Sequence, residues 1–491
     1  MKSPLLLGLD LGTTNVKALV TDRVGQPLAQ ASSPIQLLHV GNGGVEQEIA
    51  EIEQATIATL QKVAREVDAS RIEAIGVSSQ GGALQVLDGQ DRPLGRVVSW
   101  LDQRGRPFDA ALTAELGRDW FLRHISRGCS GLGTGQLLRL RDESPDLLRA
   151  PNRVGYVGDI IVSRLCGRAA QDGTSCSLAV LYNPELRNYD PELLHRLGIG
   201  AGQLPDLISP REFAGGLRPE IAQATGLRPG IPVSVAIHDQ YASALGTGAV
   251  QAGTVMVGTG TAWVLLAVND RLAAPVIDEA FVCNHVVEGL FGQILSLVNG
   301  GSSFSWALNV LGLVGRSSEE IEALLASSPP GSAGLCFWPF LVSAGVSGLA
   351  PETKGRLSGL QLSHRPADIM RAVVEGLAFE LNRYLGFLRN AGWPVERLVL
   401  GGGAASSRVT TQILADVTGL PLACLPSGEA SLLGAAILAR GLLEPRTSLA
   451  ELSDAMLLPA RRVEPGANAS FYPEQFRAYL RSLPSAQASQ S

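Results

Sequence analysis

An apolar strand, Leu5–Leu9, runs straight into Asp10-Leu11-Gly12-Thr13-Thr14, and a second apolar strand, Val16–Val20, leaves it. Strand, tight polar turn and returning strand predict a β-hairpin whose turn presents backbone amides and two hydroxyls. The pattern starts a second time, as Thr254–Val257, Gly258-Thr259-Gly260-Thr261 and Ala262–Val268. Laid under one another, Gly12-Thr13-Thr14 falls on Gly258-Thr259-Gly260. The match is short, and coincidence is its competing explanation. It nevertheless divides the 491 residues near position 248 into two halves that open on similar turns.

Helices and further strands alternate along both halves. Ile49–Val67 carries Ile52, Ala55, Thr56, Thr59, Leu60 and Val63 at helical spacing, which predicts an amphipathic helix. Ile72–Val77 reads as a strand ending in Ser78-Ser79-Gln80-Gly81-Gly82, and Val233–Ile237 as one ending in His238-Asp239-Gln240. Pro366 starts a long helix that Gly392-Trp393-Pro394 stops. The strand Leu398–Leu400 then enters Gly401-Gly402-Gly403-Ala404, followed by a helix. Ser427-Gly428-Glu429 precedes a last helix from Ala430, and the Ser/Gln/Ala-rich tail after Pro484 is expected to fray.

Composition removes several function classes. With 45% hydrophobic and 18% charged residues, the chain can bury large cores. Its charge sum, 40 − 46 = −6, argues against a basic nucleic-acid face. Phosphate can still be held by backbone amides, which need no net positive charge. No apolar run approaches the roughly 18 residues of a membrane span, and Asp10 interrupts the opening leucines too early for a signal peptide. The six cysteines form no CxxC pair, so they read as reduced thiols in a cytosolic protein. Lysine occurs only at 2, 17, 62 and 354, which excludes a Walker A loop. The Gly128–Gly135 stretch lacks the preceding strand and following acid of a dinucleotide fingerprint.

What chemistry remains? In the first turn, the amides and the Thr13 and Thr14 hydroxyls suit phosphate oxygens, with Lys17 adding charge. Asp10 suits a hydrated Mg²⁺, which keeps several waters. An ordinary hairpin with an Asx turn is the plain alternative. Gly258, Thr259, Gly260 and Thr261 supply a second set of amides and hydroxyls. Asp239, at a strand end before small residues, suits alignment and deprotonation of a substrate hydroxyl, although an Asp there could equally cap the next helix. His238 reads as a packing or supporting residue. Gly401-Gly402-Gly403 suits close approach of adenine or ribose to the backbone, or simply a tight strand–helix turn.

Four segments in this order, GLDLGTTNVK (8–17), SWLDQR (99–104), HDQYASALGTG (238–248) and LGGGAASS (400–407), resemble the FGGY family of carbohydrate kinases. The resemblance runs from Leu5 to about Gly441. It implies an α/β fold of two actin-like ATPase (ribonuclease H-like) domains with a central interdomain cleft where ATP and sugar meet. The corresponding boundaries are 1–248, 249–445 and a C-terminal extension, 446–491. It implies phosphate loops at Gly12–Thr14 and Gly258–Thr261, and Asp239 as catalytic base. Gly402, Gly403 and Ala404 match the adenosine motif, and Gly301 falls where some members touch the nucleotide. Gln80, Asp102 and Gln240 fall on the sugar side beside Asp239, with Gly81 and Gly82 lining it.

At 81–83, Gly-Gly-Ala replaces the Met-His-Gly of familiar xylulokinases, and the Arg-Glu clamp of glycerol kinases is absent too. Two glycines there would open the pocket floor. The resemblance therefore implies an ATP- and Mg²⁺-dependent sugar kinase with a ketose, polyol or aldonate as substrate. Xylulose leads because related sequences commonly carry that label. A homodimer is the family-based expectation. The reading from another class is an actin-like ATPase without a sugar, and a silent sugar-binding relative is a third.

Overall fold

The computed structural model describes residues 3–297, 299–341, 348–350, 353–425 and 429–484, and in it both Gly/Thr hairpins form. Leu5–Leu11 pairs antiparallel with Asn15–Thr21, ending at Leu11 opposite Val16. Thr254–Thr259 pairs likewise with Trp263–Asn269, ending at Thr259 opposite Trp263. The first strand of each hairpin then gains a parallel neighbour on its other side. That neighbour is Ile72–Ser79 in the first sheet and Arg397–Gly402 in the second. Parallel strands covered on both faces need continuous apolar runs, and Leu5, Leu6, Leu7 and Leu9 are fully buried.

Within the first sheet a run of five neighbouring strands reads Pro27–Pro34, Asn15–Thr21, Leu5–Leu11, Ile72–Ser79, Pro232–His238, and within the second a run of five reads Phe291–Leu297, Trp263–Asn269, Thr254–Thr259, Arg397–Gly402, Leu422–Cys424; further strands extend both sheets. Numbered in chain order within each run, both place the third strand first, then the second, first, fourth and fifth. The topology is thus used twice, but the registers make Leu11 the counterpart of Thr259, so Gly12-Thr13 falls on Gly260-Thr261, two residues from the alignment the sequence offered. This is the α/β, ribonuclease H-like plan that the resemblance implied.

The chain divides into two compact units that are not contiguous halves. The first comprises Met1–Gln251, Val268–Gln293 and Glu429–Leu458; the second comprises Ala252–Ala267, Ile294–Gly428 and Pro459–Ser491. Glycines explain why a late segment rejoins the first unit. A Cβ on Gly8 or Gly76 would lie 2.2 or 1.8 Å from a carbonyl oxygen of the helix Ala430–Leu443. Gly246, in the helix Asp239–Thr247, would meet the Ala430 carbonyl at 2.0 Å, and Gly434 in return the Ala242 carbonyl at 1.7 Å. Only glycine permits such backbone-to-backbone approach. The helix Ala430–Leu443 is correspondingly buried on nearly every side.

In the second unit, the helix Pro366–Asn390 is held by polar bonds as well as apolar packing. Its buried Glu375 accepts from Arg371 and from the Tyr472 hydroxyl, and its buried Glu380 from Arg383 and from the Tyr479 hydroxyl. Breaking one partner of such a buried pair typically costs about 3–5 kcal/mol. Among the described residues, no helix is long and apolar enough to cross a membrane. The Ser427-Gly428 turn and the tail beyond Pro484 lie outside the described residues.

Candidate active site

In the first unit, the strands Leu5–Leu11, Ile72–Ser79 and Pro232–His238 run parallel, so their carboxyl ends point the same way. In open α/β sheets that edge is where ligands bind. Asp10 and Ile237 both lie opposite Ser78, and Asp239 follows immediately as the first residue of the helix Asp239–Thr247. The cap of that helix is His238, so Asp239 is not its capping residue. Asp10 accepts hydrogen bonds from Ser78 (2.7 Å) and Ser431 (3.2 Å). Burial, and then the charge of Asp239, push its pKa up to about 6. Asp239 also rises to about 6 through lost solvation, although hydrogen bonds from Gln240 oppose the shift. A third of its side chain stays exposed.

His238 lies 3.2 Å from the Asp239 carboxylate, but burial lowers its pKa to about 3. It is therefore a neutral packing partner, set edge-on to Tyr241, as its place in the sequence suggested.

The first turn is braced from behind. Gly12 N–H donates to Asn15 (3.0 Å), Gln80 Nε2 to the Gly12 carbonyl (3.4 Å), and Gln47 Nε2 to the Thr13 carbonyl (2.9 Å). Trp100 Nε1 donates to the Thr13 hydroxyl oxygen (3.0 Å), and Asn15 to that of Thr14 (3.2 Å). Both threonine hydroxyls act as acceptors here, so each O–H is left to donate, the sense an anionic oxygen needs. Lys17, expected to add charge, lies 3.1 Å from both Glu429 carboxylate oxygens, which balance it.

The residues expected on the sugar side are placed differently from one another. Gln80 is buried and gives both amide N–H groups to protein, to Gly12 and to Gln47 Oε1 (3.2 Å), so it buttresses the turn. Asp102 accepts from Val45 N–H (2.9 Å), Gln136 (3.0 Å) and Arg104, with which it forms an ion pair at 2.6 Å. Its carboxylate has no exposed surface. Gln240 donates to the Asp239 carboxylate at 3.2 Å. Gly81 and Gly82 do not open the floor. A Cβ on Gly81 would lie 2.6 Å from the His238 ring and 2.7 Å from Leu178, and one on Gly82 3.2 Å from the Leu178 carbonyl. Neighbours already fill the space that the missing side chains leave.

In the second unit, the Thr259 hydroxyl departs from its expected phosphate role. It is buried, donates to the Gly401 carbonyl (2.7 Å) and accepts from Ala404 N–H (3.1 Å). It thereby ties the second turn to the Gly402–Ala404 turn. Gly402 has φ +94°, and a Cβ there would lie 2.9 Å from the Thr259 carbonyl, so both conformation and contact call for glycine. The carbonyls of Gly260 and Thr261 accept from Gly301 N–H (3.0 Å) and Ser302 N–H (2.9 Å). The Gly301 amide is thus already engaged. Gly258 is half-buried, whereas Gly260, Thr261 and Gly403 differ from Thr259 in keeping open surface.

Among the described residues, no three His, Cys, Asp or Glu side chains gather in a metal-binding cluster. The hard oxygens of Asp10 and Asp239, with mutually unfavourable charge, fit a divalent cation that retains most of its water, as Mg²⁺ does. Sequence reading missed Gln47, Trp100 and Ser431. Trp100 stands inside the SWLDQR segment, which was the available signal; Gln47 and Ser431 stand in no motif.

Comparison with known proteins adds independent observations. The sequence model described as "FGGY family of carbohydrate kinases, N-terminal domain" matches residues 5–246, and its C-terminal counterpart matches 253–440. The chain is 26% identical to the xylulose kinase of Escherichia coli (strain K12), over 91% of this chain and 92% of that one. It is 30% identical to the glycerol kinase of Alkalilimnicola ehrlichii, over 88% and 89%. A solved xylulose kinase from Lactobacillus acidophilus, ligand-bound, superposes with a TM-score of 0.89 at 23% identity, covering 97% of each chain. At that identity the likeness speaks for the fold.

Proposed function

The chain belongs to the FGGY family of carbohydrate kinases, phosphotransferases with an alcohol group as acceptor, and from that premise we propose that it transfers the γ-phosphoryl group of ATP to a hydroxyl of a ketopentose such as xylulose. The observation that carries this reading is the pair Asp10 and Asp239 beside a turn with two donor hydroxyls. Asp239 aligns the substrate hydroxyl and accepts its proton as the oxygen attacks phosphorus. The bond from phosphorus to the β,γ-bridging oxygen breaks, ADP leaves, and the proton passes from Asp239 to solvent. Gln240 orients the Asp239 carboxylate. The amides and hydroxyls of Thr13 and Thr14 hold phosphate oxygens, as do the amide of Gly260 and the hydroxyl of Thr261, whereas the Gly12 amide is spent on Asn15 and Gly258 lies within a strand paired on both sides. Gly402, Gly403 and Ala404 offer a flat backbone surface to adenosine. Mg²⁺, held by Asp10 through water, would supply neutralisation of phosphate charge.

Xylulose is favoured by curated relatives named xylulose kinase. Relatives named gluconokinase and glycerol kinase support the second reading, an aldonate or polyol acceptor. Dependence on ATP supports a cytoplasmic setting. A coupled assay of ADP release over ketopentoses, ketohexoses, polyols and aldonates tests the proposal. Release that needs a ketopentose supports it. ATP turnover indifferent to every sugar would instead favour an actin-like ATPase.

A further inference from the structure

Behind the first turn lies a small cavity in the first unit, lined by Ser79, Gln80, Tyr156, Asp159, Gln171 and Ser175 among others. Its volume is about 10 Å³, room for the centre of roughly one water molecule. Its buried lining side chains include Gln80 (4% exposed), Tyr156 (4%) and Gln171 (1%). Gln80 Oε1, Tyr156 Oη and Gln171 Oε1 have no hydrogen-bond partner among the described residues. Their amide nitrogens are engaged elsewhere, Gln80 with Gly12 and Gln47, and Gln171 with the Tyr189 hydroxyl (2.9 Å). Buried polar atoms rarely go unpaired, and cavities that stay dry are apolar.

We propose that this cavity binds a single water molecule, which accepts a hydrogen bond from Tyr156 Oη and donates one each to Gln80 Oε1 and Gln171 Oε1. The count closes: one phenol donor and two amide acceptors match one acceptor and two donors of water. Burial holds the Tyr156 pKa well above its ordinary value, so the phenol keeps its proton. Charge at the cavity also favours a neutral occupant. Asp159 is ion-paired with Arg153 (3.2 Å) and accepts from Tyr156 N–H.

The water fixes the Gln80 amide with its nitrogen toward Gly12, and Gln80 braces the first turn. Tyr156 and Gln171 are thus positioning residues that act through the water. This last step rests on the proposed phosphate role of that turn.

High-resolution crystal structures of the protein and of Tyr156→Phe test the site. A single density peak about 2.6–3.2 Å from all three oxygens, lost or weakened in the variant, is expected. A cavity without density overturns the proposal. So does a peak with contacts of about 2.0–2.6 Å, the range of hard cations. Kinetics test the consequence: Tyr156→Phe should raise KM for ATP about three- to tenfold, with kcat and sugar KM within about twofold. Gln171→Met removes one acceptor and carries both measurements by an independent route. Density present in the parent with ATP KM unmoved in both variants upholds the water and counts against the phosphate role of the turn.

Discussion

The two Gly/Thr turns look alike in sequence and differ in what their hydroxyls do. Thr13 and Thr14 accept hydrogen bonds from Trp100 and Asn15 and keep their own protons to donate. Thr259 has both capacities taken, by the Gly401 carbonyl and the Ala404 amide. The first turn is braced by side chains from behind and presents hydroxyls in front. The second is fastened by its own hydroxyl to a neighbouring backbone turn and leaves presentation to Thr261. The first unit thus keeps its hydroxyls as donors within the turn, whereas the second places a structural latch, Thr259, on the last strand residue before it.

The contrast breaks most severely if the acid beside the first turn is dispensable. Asp239→Asn should lower kcat by about 10²–10⁴-fold while leaving ATP affinity within about twofold, measured by steady-state kinetics and calorimetric titration. Near-parental turnover would remove the first unit's claim to the chemistry.

Acidity probes the same group without mutation. With Asp239 raised to about 6, its protonation alone should lower kcat/KM about tenfold per pH unit below that value. Stability should move the other way. A carboxyl whose folded pKa exceeds its unfolded value favours folding at low pH and loses that contribution as pH rises through about 6. For Asp239 and Asp10, then, acidification from pH 7 toward 5 should relieve a folding penalty as it removes activity. An activity limb near pH 4 would place the base outside this carboxylate pair.

The latch itself is tested by Thr259→Val. It orphans the Ala404 amide and Gly401 carbonyl and should cost about 1–3 kcal/mol in denaturant unfolding, together with weaker ATP binding. Thr13→Val at the first turn should cost within about 0.5 kcal/mol and act mainly on KM for ATP. Equal stability losses at the two positions would erase the distinction. The smallest effect is expected of Gly403→Ala. Its Cβ would lie 3.9 Å from the Thr259 carbonyl, so folding should be nearly unchanged and only adenosine affinity lowered.

The hairpins were readable because apolar strands and a polar turn alternate within some fifteen residues, and Asp239 because it stands where a strand ends. What stayed hidden is set by partners distant along the chain. The fate of the Thr259 hydroxyl depends on Gly401, 142 positions away, and that of Lys17 on Glu429, 412 away. The resemblance put Asp102 on the sugar side, yet its oxygens are claimed by Val45, Arg104 and Gln136. Gly81 and Gly82 read as empty space because a sequence shows which side chain is missing, and not what has moved into its place. The repeated strand order was announced only by a short echo that the structure shifts by two residues, since sheet topology places few demands on residue identity.

The helix Ala430–Leu443 has a consequence for how the polypeptide is made. Gly8, Gly76 and Gly246 lie within the first half of the chain, yet the backbone they receive is translated near its end. A nascent chain halted near residue 250 would offer the ribosome's surroundings a sheet with one face uncovered. It should depend on chaperones until the final helix emerges. A truncated first half should aggregate when expressed alone, and co-expression of residues 429–458 as a separate peptide should restore its solubility.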